Sequence, residues 1–253
     1  MKETAKYQGT KTTFSETINV EDVISIEAPL RISINGDPFT VTMRTPGKDE
    51  DLATGLLYSE DIIKKFSQVQ FNWRNSSSMD EVNVVIDKQE LREGFMNARN
   101  FLSVSSCGVC GKTELPAISG TIKKHSTTTL AEIEEGYAVM KKLQYNFNET
   151  GGCHAAGILN AQNELITVRE DIGRHNAVDK AIGNLIRTDQ LKDAKVLLVS
   201  GRISYEIIIK TFRAKIPIIA AVSSPSSLAI DYAKELGITL YAFCRKGKIT
   251  QYA

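Results

Sequence analysis

Two stretches in the C-terminal half constrain this chain more than any other feature: AKVLLVS at 194–200 and IPIIAAV at 216–222. A strand that is apolar at nearly every position has both of its faces covered, as in a parallel or mixed sheet with helices on either side. The neighbouring segments alternate accordingly. AAGILNA and ELITVRE read as strands around a turn near Asn160–Asn163. GRHNAVDKAIGNLIR, SYEIIIKTFRA and SLAIDYAKELG read as helices, ITLYAF as a strand and KITQYA as a short final one. The expectation for 127–253 is an α/β core of three layers. Strand order is not readable from such a pattern.

The first half reads differently. Residues 1–20 are polar and expected to be flexible, with 1–17 frayed. Residues 21–100 form a smaller β-rich part, in which VISIE and LRISI alternate and Asn35-Gly36-Asp37-Pro38 turns LRISI into FTVTM. A helix is predicted over 50–63, with Leu52, Leu56, Ile62 and Ile63 on its buried face, and a strand over 82–86. Residues 101–126 read as a functional loop carrying two cysteines. Thr129 is placed to cap a helix over 130–145, with Glu132 in its first turn and Ile133, Tyr137, Met140 and Leu143 towards the core.

Charge and cysteine usage narrow the function classes. Lys plus Arg number 31 against 30 Asp plus Glu, so the chain is not a generic polybasic nucleic-acid or membrane binder, though a local basic pocket is allowed. Four cysteines in 253 residues are too few for a disulfide-stapled scaffold. No apolar run approaches the length of a spanning helix, and the N-terminus lacks the apolar segment of a signal peptide. The expectation is a soluble cytosolic protein with reduced thiols.

The sharpest chemical feature is Cys107-Gly108-Val109-Cys110-Gly111, preceded by Ser105-Ser106 and followed by Lys112. Two thiols at this spacing suit persulfide exchange, in which thiolate fraction and access decide the rate. They also suit a zinc site completed by Cys153 and His154, or a thioredoxin-like dithiol, or no chemistry at all. The glycines disfavour the regular helix that a dithiol oxidoreductase needs. A second constellation, REDIGRHNAVDK, puts seven charged or histidine side chains within positions 169–180, between a strand and a helix; a binding site and a salt-bridged helix cap both fit. Gly201-Arg202-Ile203-Ser204 and Ser223-Ser224-Pro225-Ser226-Ser227 are strand-to-helix junctions suited to phosphate. There Arg202 supplies a clamp, Ser204 can cap one helix, and Pro225 sits near the first turn of the next. Cys244, ending a strand, reads as a buried thiol.

Together SSCGVCGK at 105–112, GGCHAAG at 151–157, REDIGRHNAVDKAIG at 169–183 and SGRISYEIIIK at 200–210 resemble the formate dehydrogenase accessory sulfurtransferases of the FdhD/NarQ family, as does 30–63. The resemblance implies a cytoplasmic homodimer with a cytidine deaminase-like core and a smaller N-terminal part. Such a protein takes sulfur from a cysteine desulfurase as a persulfide and passes it to the molybdenum (or tungsten) bis-guanine-dinucleotide cofactor, a bound substrate destined for formate dehydrogenase. It implies Cys107 as the persulfide carrier, Cys110 as the second cysteine, and Phe243, Cys244, Arg245, Lys246, Gly247 and Lys248 as the cofactor-binding segment. GDP or GMP is expected to mimic the cofactor's tail. Arg169, Arg174, His175, Arg202 and His154 are expected to contribute to the same site, and no resident metal is assigned. Deaminase chemistry itself is not expected: a zinc deaminase needs His-x-Glu, and Ala156 stands where that glutamate would be. Cys153 stands where the family pattern has threonine. The alternative is a non-catalytic chaperone that binds the cofactor without transferring sulfur.

Overall fold

The computed structural model describes residues 2–64, 69–75, 79–91, 120–122 and 127–253. Its first element corrects an expectation. Residues expected to fray form a strand, β1 (Thr4–Thr12), paired antiparallel over its whole length with β2 (Thr17–Ser25). Cross-strand polar pairs compensate for the missing core: Lys6 Nζ lies 2.7 Å from Glu21 Oε1, and Thr12 and Thr17 hydroxyls are 3.2 Å apart.

β3 (Ala28–Ile34) and β4 (Asp37–Arg44) form the expected hairpin, with Asn35 and Gly36 both at positive φ as a two-residue I′ turn requires. With β5 (Gln70–Asn75) and β6 (Asp80–Val85) they complete a four-stranded sheet in the order β4-β3-β6-β5. One face of this sheet packs Leu30, Ile32, Ile34, Val82 and Val84 against α1 (Asp49–Ser59). The helix is shorter than the predicted 50–63, because Asp61 adopts a left-handed φ of 61°. Ile62 and Ile63 nevertheless remain in this core.

Thr129 caps α2 (Leu130–Lys142) through a reciprocal box: its Oγ1 accepts from Glu132 N, and Glu132 Oε2 accepts from Thr129 N at 2.7 Å. The predicted helix to 145 is interrupted, and a separate short helix, α3 (Tyr145–Thr150), follows. Leu143, expected to face the core, falls in this break and is exposed. β7 (His154–Leu159), β8 (Leu165–Asp171), β9 (Val196–Val199), β10 (Ile218–Ala221), β11 (Thr239–Ala242) and β12 (Thr250–Gln251) form the main sheet, in the order β12-β11-β10-β9-β7-β8. β9, β10 and β11 are parallel, whereas β7 and β12 run antiparallel to their neighbours.

The apolar runs are covered on both sides, as their composition requires. On one face Ile158, Leu197, Val199, Ile219 and Leu240 pack with residues of α4 (Arg174–Arg187), α5 (Tyr205–Arg213) and α6 (Ser227–Leu236). On the other, Val196, Leu198, Ile218 and Ala220 pack with Ile133 and Met140 of α2. α1 joins the two halves by crossing α4 backbone to backbone. A Cβ on Gly55 would lie 1.9 Å from Asp179 O, and one on Gly183 would lie 1.9 Å from Asp51 O.

Candidate functional site

Strand direction assembles the site. β7 runs against β9, so His154 at its start lies at the same edge as the ends of β9, β10 and β11, and it pairs with Asp171 at the end of β8. Ligands of α/β sheets bind at this edge, beyond the carboxyl ends of the parallel strands. It collects His154, the start of α4 with Arg174 and His175, the loop carrying Arg202, and the 243–248 segment.

His154 and Arg174 converge over Gly201, where a Cβ would lie 3.2 Å from His154 Nδ1 and 3.5 Å from Arg174 Cδ. Ser200 Oγ accepts from Ala155 N at 2.9 Å and lies 3.4 Å from His154 Nδ1. Burial pushes the His154 imidazole below its ordinary pKa; Arg174 and Arg202 push the same way, and Asp171 opposes them. Arg174 Nε is buried and has no hydrogen-bond partner among the described residues, a donor left over in a cationic pocket. Arg202 is exposed beside it.

The two junctions read as phosphate-ready are partly satisfied by each other. Ile203 and Pro225 form a parallel bridge, in which Ile203 N donates to Ser224 O and Ser226 N donates to Ile203 O. Ser204 occupies the N-cap of α5, but its hydroxyl makes no capping bond and lies 2.9 Å from His175 Nε2. The expected Ser204 side-chain cap is therefore replaced by a tie to the buried His175, whose Nε2 is also 3.8 Å from Glu206. At the next junction Ser226 is the cap, accepting from Ala229 N, and Pro225 immediately precedes it, next to the first turn as expected.

Arg245-Lys246-Gly247-Lys248 is the tip of the hairpin from β11 to β12. Lys246 and Gly247 are both left-handed, and Arg245 and Lys248 exchange backbone bonds of 3.1 and 3.3 Å. This I′ turn drives the three basic side chains into solvent. Gly247 N donates to Glu134 Oε1 at 2.7 Å, which fixes the tip against α2. Phe243 N donates to Ser223 O. Cys244 turns inward, buried among Tyr241 and Ile133, and burial pushes its thiol to about 11.

Two other residues sit elsewhere. Arg169 is turned towards α1, its Nε 2.8 Å from Asp51 Oδ2, in a network that continues through Arg187 to Glu50. Cys153 faces away from His154, its buried thiol 3.2 Å from Ser25 Oγ and raised in pKa by that burial. Among the described residues no group of three His, Cys, Asp or Glu side chains could hold a metal. Cys107 and Cys110 lie outside the described residues. Asp171 is read in the sequence only as one of the seven charged or histidine side chains of 169–180. It is fully buried, accepts from Gly173 N and Asn176 Nδ2 in the first turn of α4, and pairs with Lys180 Nζ at 2.8 Å. It thereby holds the Arg174–His175 turn in place, through a local Asp-x-Gly bond that the charge count alone does not pick out.

Comparison with known proteins settles the family. The FdhD/NarQ family model matches residues 25–253. This chain belongs to the FdhD/NarQ family. The sulfur carrier protein FdhD of Mycolicibacterium paratuberculosis is 38% identical, covering 100% of this chain and 97% of its own. That of Sulfolobus acidocaldarius is 40% identical, covering 92% and 89%. A crystal structure from Desulfotalea psychrophila, of a protein provisionally described as a formate dehydrogenase accessory protein, superposes with a TM-score of 0.77 over 99% of this chain and 97% of that one. At 22% identity it shows that the two share a fold. Among the described residues no helix is long and apolar enough to cross a membrane.

Proposed function

We propose that this protein is a cytoplasmic sulfur carrier that takes sulfane sulfur from a cysteine desulfurase onto Cys107. It delivers that sulfur to the molybdenum bis-guanine-dinucleotide cofactor bound as substrate, for use by formate dehydrogenase. The observation that carries this reading is the full-length likeness to sulfur carrier proteins in a chain whose SSCGVCGK segment carries two cysteines.

In the first step the Cys107 thiolate attacks the outer sulfur of the desulfurase persulfide. A new S–S bond forms at Cys107 as the desulfurase S–S bond breaks, and the desulfurase leaves as its thiolate. In the second, the Cys110 thiolate attacks Cys107 Sγ, and the outer sulfur departs as sulfide to the substrate. The Cys107–Cys110 pair is oxidised to a disulfide in supplying the two electrons.

The cationic edge supports the substrate assignment. Arg174, whose buried Nε has no partner among the described residues, and Arg202 flank His154 at one end, and Arg245, Lys246 and Lys248 crown the other. β7 and β11 are three strand spacings apart in the sheet, roughly 14–15 Å. That edge suits the pyrophosphates of a nucleotide-tailed anion, for which GDP or GMP is a simple mimic. His175 acts through Ser204 as a positioning residue. The mixed sheet with helices on both faces supports the cytidine deaminase-like reading of the core, with Ala156 where that chemistry needs a glutamate. We further read the protein as a homodimer.

The test is an intact mass after incubation of the reduced protein with a cysteine desulfurase and L-cysteine. One added sulfur on the peptide bearing Cys107, absent in Cys107→Ala, is the expected result. No added sulfur on the wild-type protein, with free thiols and an active desulfurase, overturns the reading in favour of a cofactor-binding chaperone. Cys107→Ala is expected to retain GDP binding under either reading.

A further inference from the structure

The N-terminal hairpin is a bare amphipathic arm. Its register puts Ala5, Tyr7, Ile18, Val20 and Ile24 on one face and polar side chains on most of the other. Its base is tied down through Ser25 to Asn146, and Ile26 N donates to Glu3 O. Beyond that base it projects into solvent, with Phe14 at the tip wholly exposed. A two-stranded hairpin without a covered face is marginal in water.

The other exposed apolar side chains complete the picture. Among the described residues nine large hydrophobics are exposed: Tyr7, Phe14, Ile18 and Ile24 on the arm, Val139, Leu143, Tyr145 and Phe147 on the α2–α3 segment, and Leu228 elsewhere. Leu143 and Tyr145 of the second group line a cavity of about 340 Å³, together with Pro46, Val168, Lys48 and Arg169 among others. That is the lower end of ligand-pocket sizes, room for one aromatic side chain. The cavity cannot take its own arm's tip. Glu3, at the arm's base, lines it, and nine-residue strands place Phe14 about 30 Å away.

We propose that the arms of two copies of this chain exchange about a two-fold axis. Phe14 of each enters the Tyr145–Leu143–Pro46 cavity of the other, Ile18 near the tip covers the partner's α2–α3 surface, and Tyr7 and Ile24 nearer the base face the partner's arm. Both halves of the contact are present on one chain, so the exchange closes as an isologous dimer and leaves neither patch bare. A buried aromatic anchor ringed by weaker contacts is the usual source of interface energy. Glu16 beside Phe14 meets Lys48 on the rim. Of the acids lining the cavity, Glu170 is already engaged by the backbone N–H groups of Asn146 and Phe147. This inference rests on the homodimer reading and locates its interface.

The experiment is light scattering and sedimentation equilibrium on the full chain, with Phe14→Asp and Leu143→Asp, together with a photo-crosslinking phenylalanine analogue at position 14. The wild type is expected at twice 27.9 kDa. Each variant should raise the dimer dissociation constant at least tenfold, with the far-UV spectrum unchanged. The crosslink should join two chains through a peptide containing residues 143–147. A variant pair that dimerises as tightly as wild type, or a crosslink elsewhere, overturns the arm contact and leaves the dimer standing. A wild-type monomer at every concentration overturns both.

Discussion

His154 shows how a single residue's chemistry is set by its neighbours. Burial and the guanidinium groups of Arg174 and Arg202 all favour the neutral ring. An NMR titration of the free protein should find its midpoint below the ordinary imidazole value of about 6.5. Arg174→Gln should move it upwards, and saturating GDP should do the same by neutralising the cations. The sign for stability follows. The unfolded chain takes up the proton first, so the residue's contribution is lost as pH falls below about 6.5 towards the folded value, and is unaffected above it. A flat titration midpoint across these variants would disprove the cationic pocket. Arg202→Ala should weaken GDP binding roughly tenfold at low salt, the loss of one charge-assisted contact, and less at high salt. Calorimetry at two ionic strengths reads both effects. Cys153 and Cys244 have their thiols raised by burial, Cys244 to about 11. Both should resist iodoacetamide in the native protein and react after denaturation.

At the scale of elements, the crossing of α1 and α4 is the most demanding piece of packing. Each helix contributes a glycine whose missing Cβ makes room for the other's carbonyl, Gly55 against Asp179 O and Gly183 against Asp51 O. Backbone cannot yield as a side chain can. Gly183→Ala is therefore expected to cost roughly 3 kcal/mol, a fall in melting temperature of roughly 6–12 °C for a chain of this size. An unchanged melting curve would mean that the helices are not in this contact. The capping residues behave differently from one another. Thr129→Ala breaks a complete capping box and should cost about 1 kcal/mol of stability. Ser204→Ala leaves no cap to lose and should act on His175 instead.

Buried charges hold the whole molecule together, one set within the N-terminal part and one between the two parts. Arg44, fully buried, meets Asp49 at 3.0 Å and Asp80 at 2.7 Å. Asp179 of α4 is held between Lys210 of α5 at 2.8 Å and Ser59 of α1 at 3.0 Å. Burial pushes the Asp179 carboxyl up, and Lys210 opposes it. Removing one partner strands the other, so Asp179→Ala should destabilise by about 3–5 kcal/mol. Asp179→Ala with Lys210→Met should recover much of that, as urea denaturation of both variants would show. Equal stability for the single and double variants would deny the pair its place.

Local pattern was enough for much of this fold. The doubly apolar runs at 194–200 and 216–222 require covered strands, Asn35-Gly36 requires a tight turn, and Thr129 with Glu132 requires a helix start, because each is a matter of backbone geometry and burial within a few residues. The N-terminal strand was illegible because its own residues are mostly polar, and the apolar face of the hairpin comes chiefly from β2 across the pairing. Leu143 and the end of α1 were misread because a left-handed residue or a helix break overrides periodicity. Within the site, the motifs carrying His154, Arg174, His175 and Arg202 were visible, and strand direction brought them to one edge. Only the tertiary structure turned Arg169 towards Asp51, Cys244 into the core, Ser204 onto His175 and Asp171 beneath the α4 turn. The first three depend on partners more than a dozen residues away in sequence; Asp171 has partners close by, but its place at the end of β8 depends on how the strand meets the helix, and no local spacing encodes either.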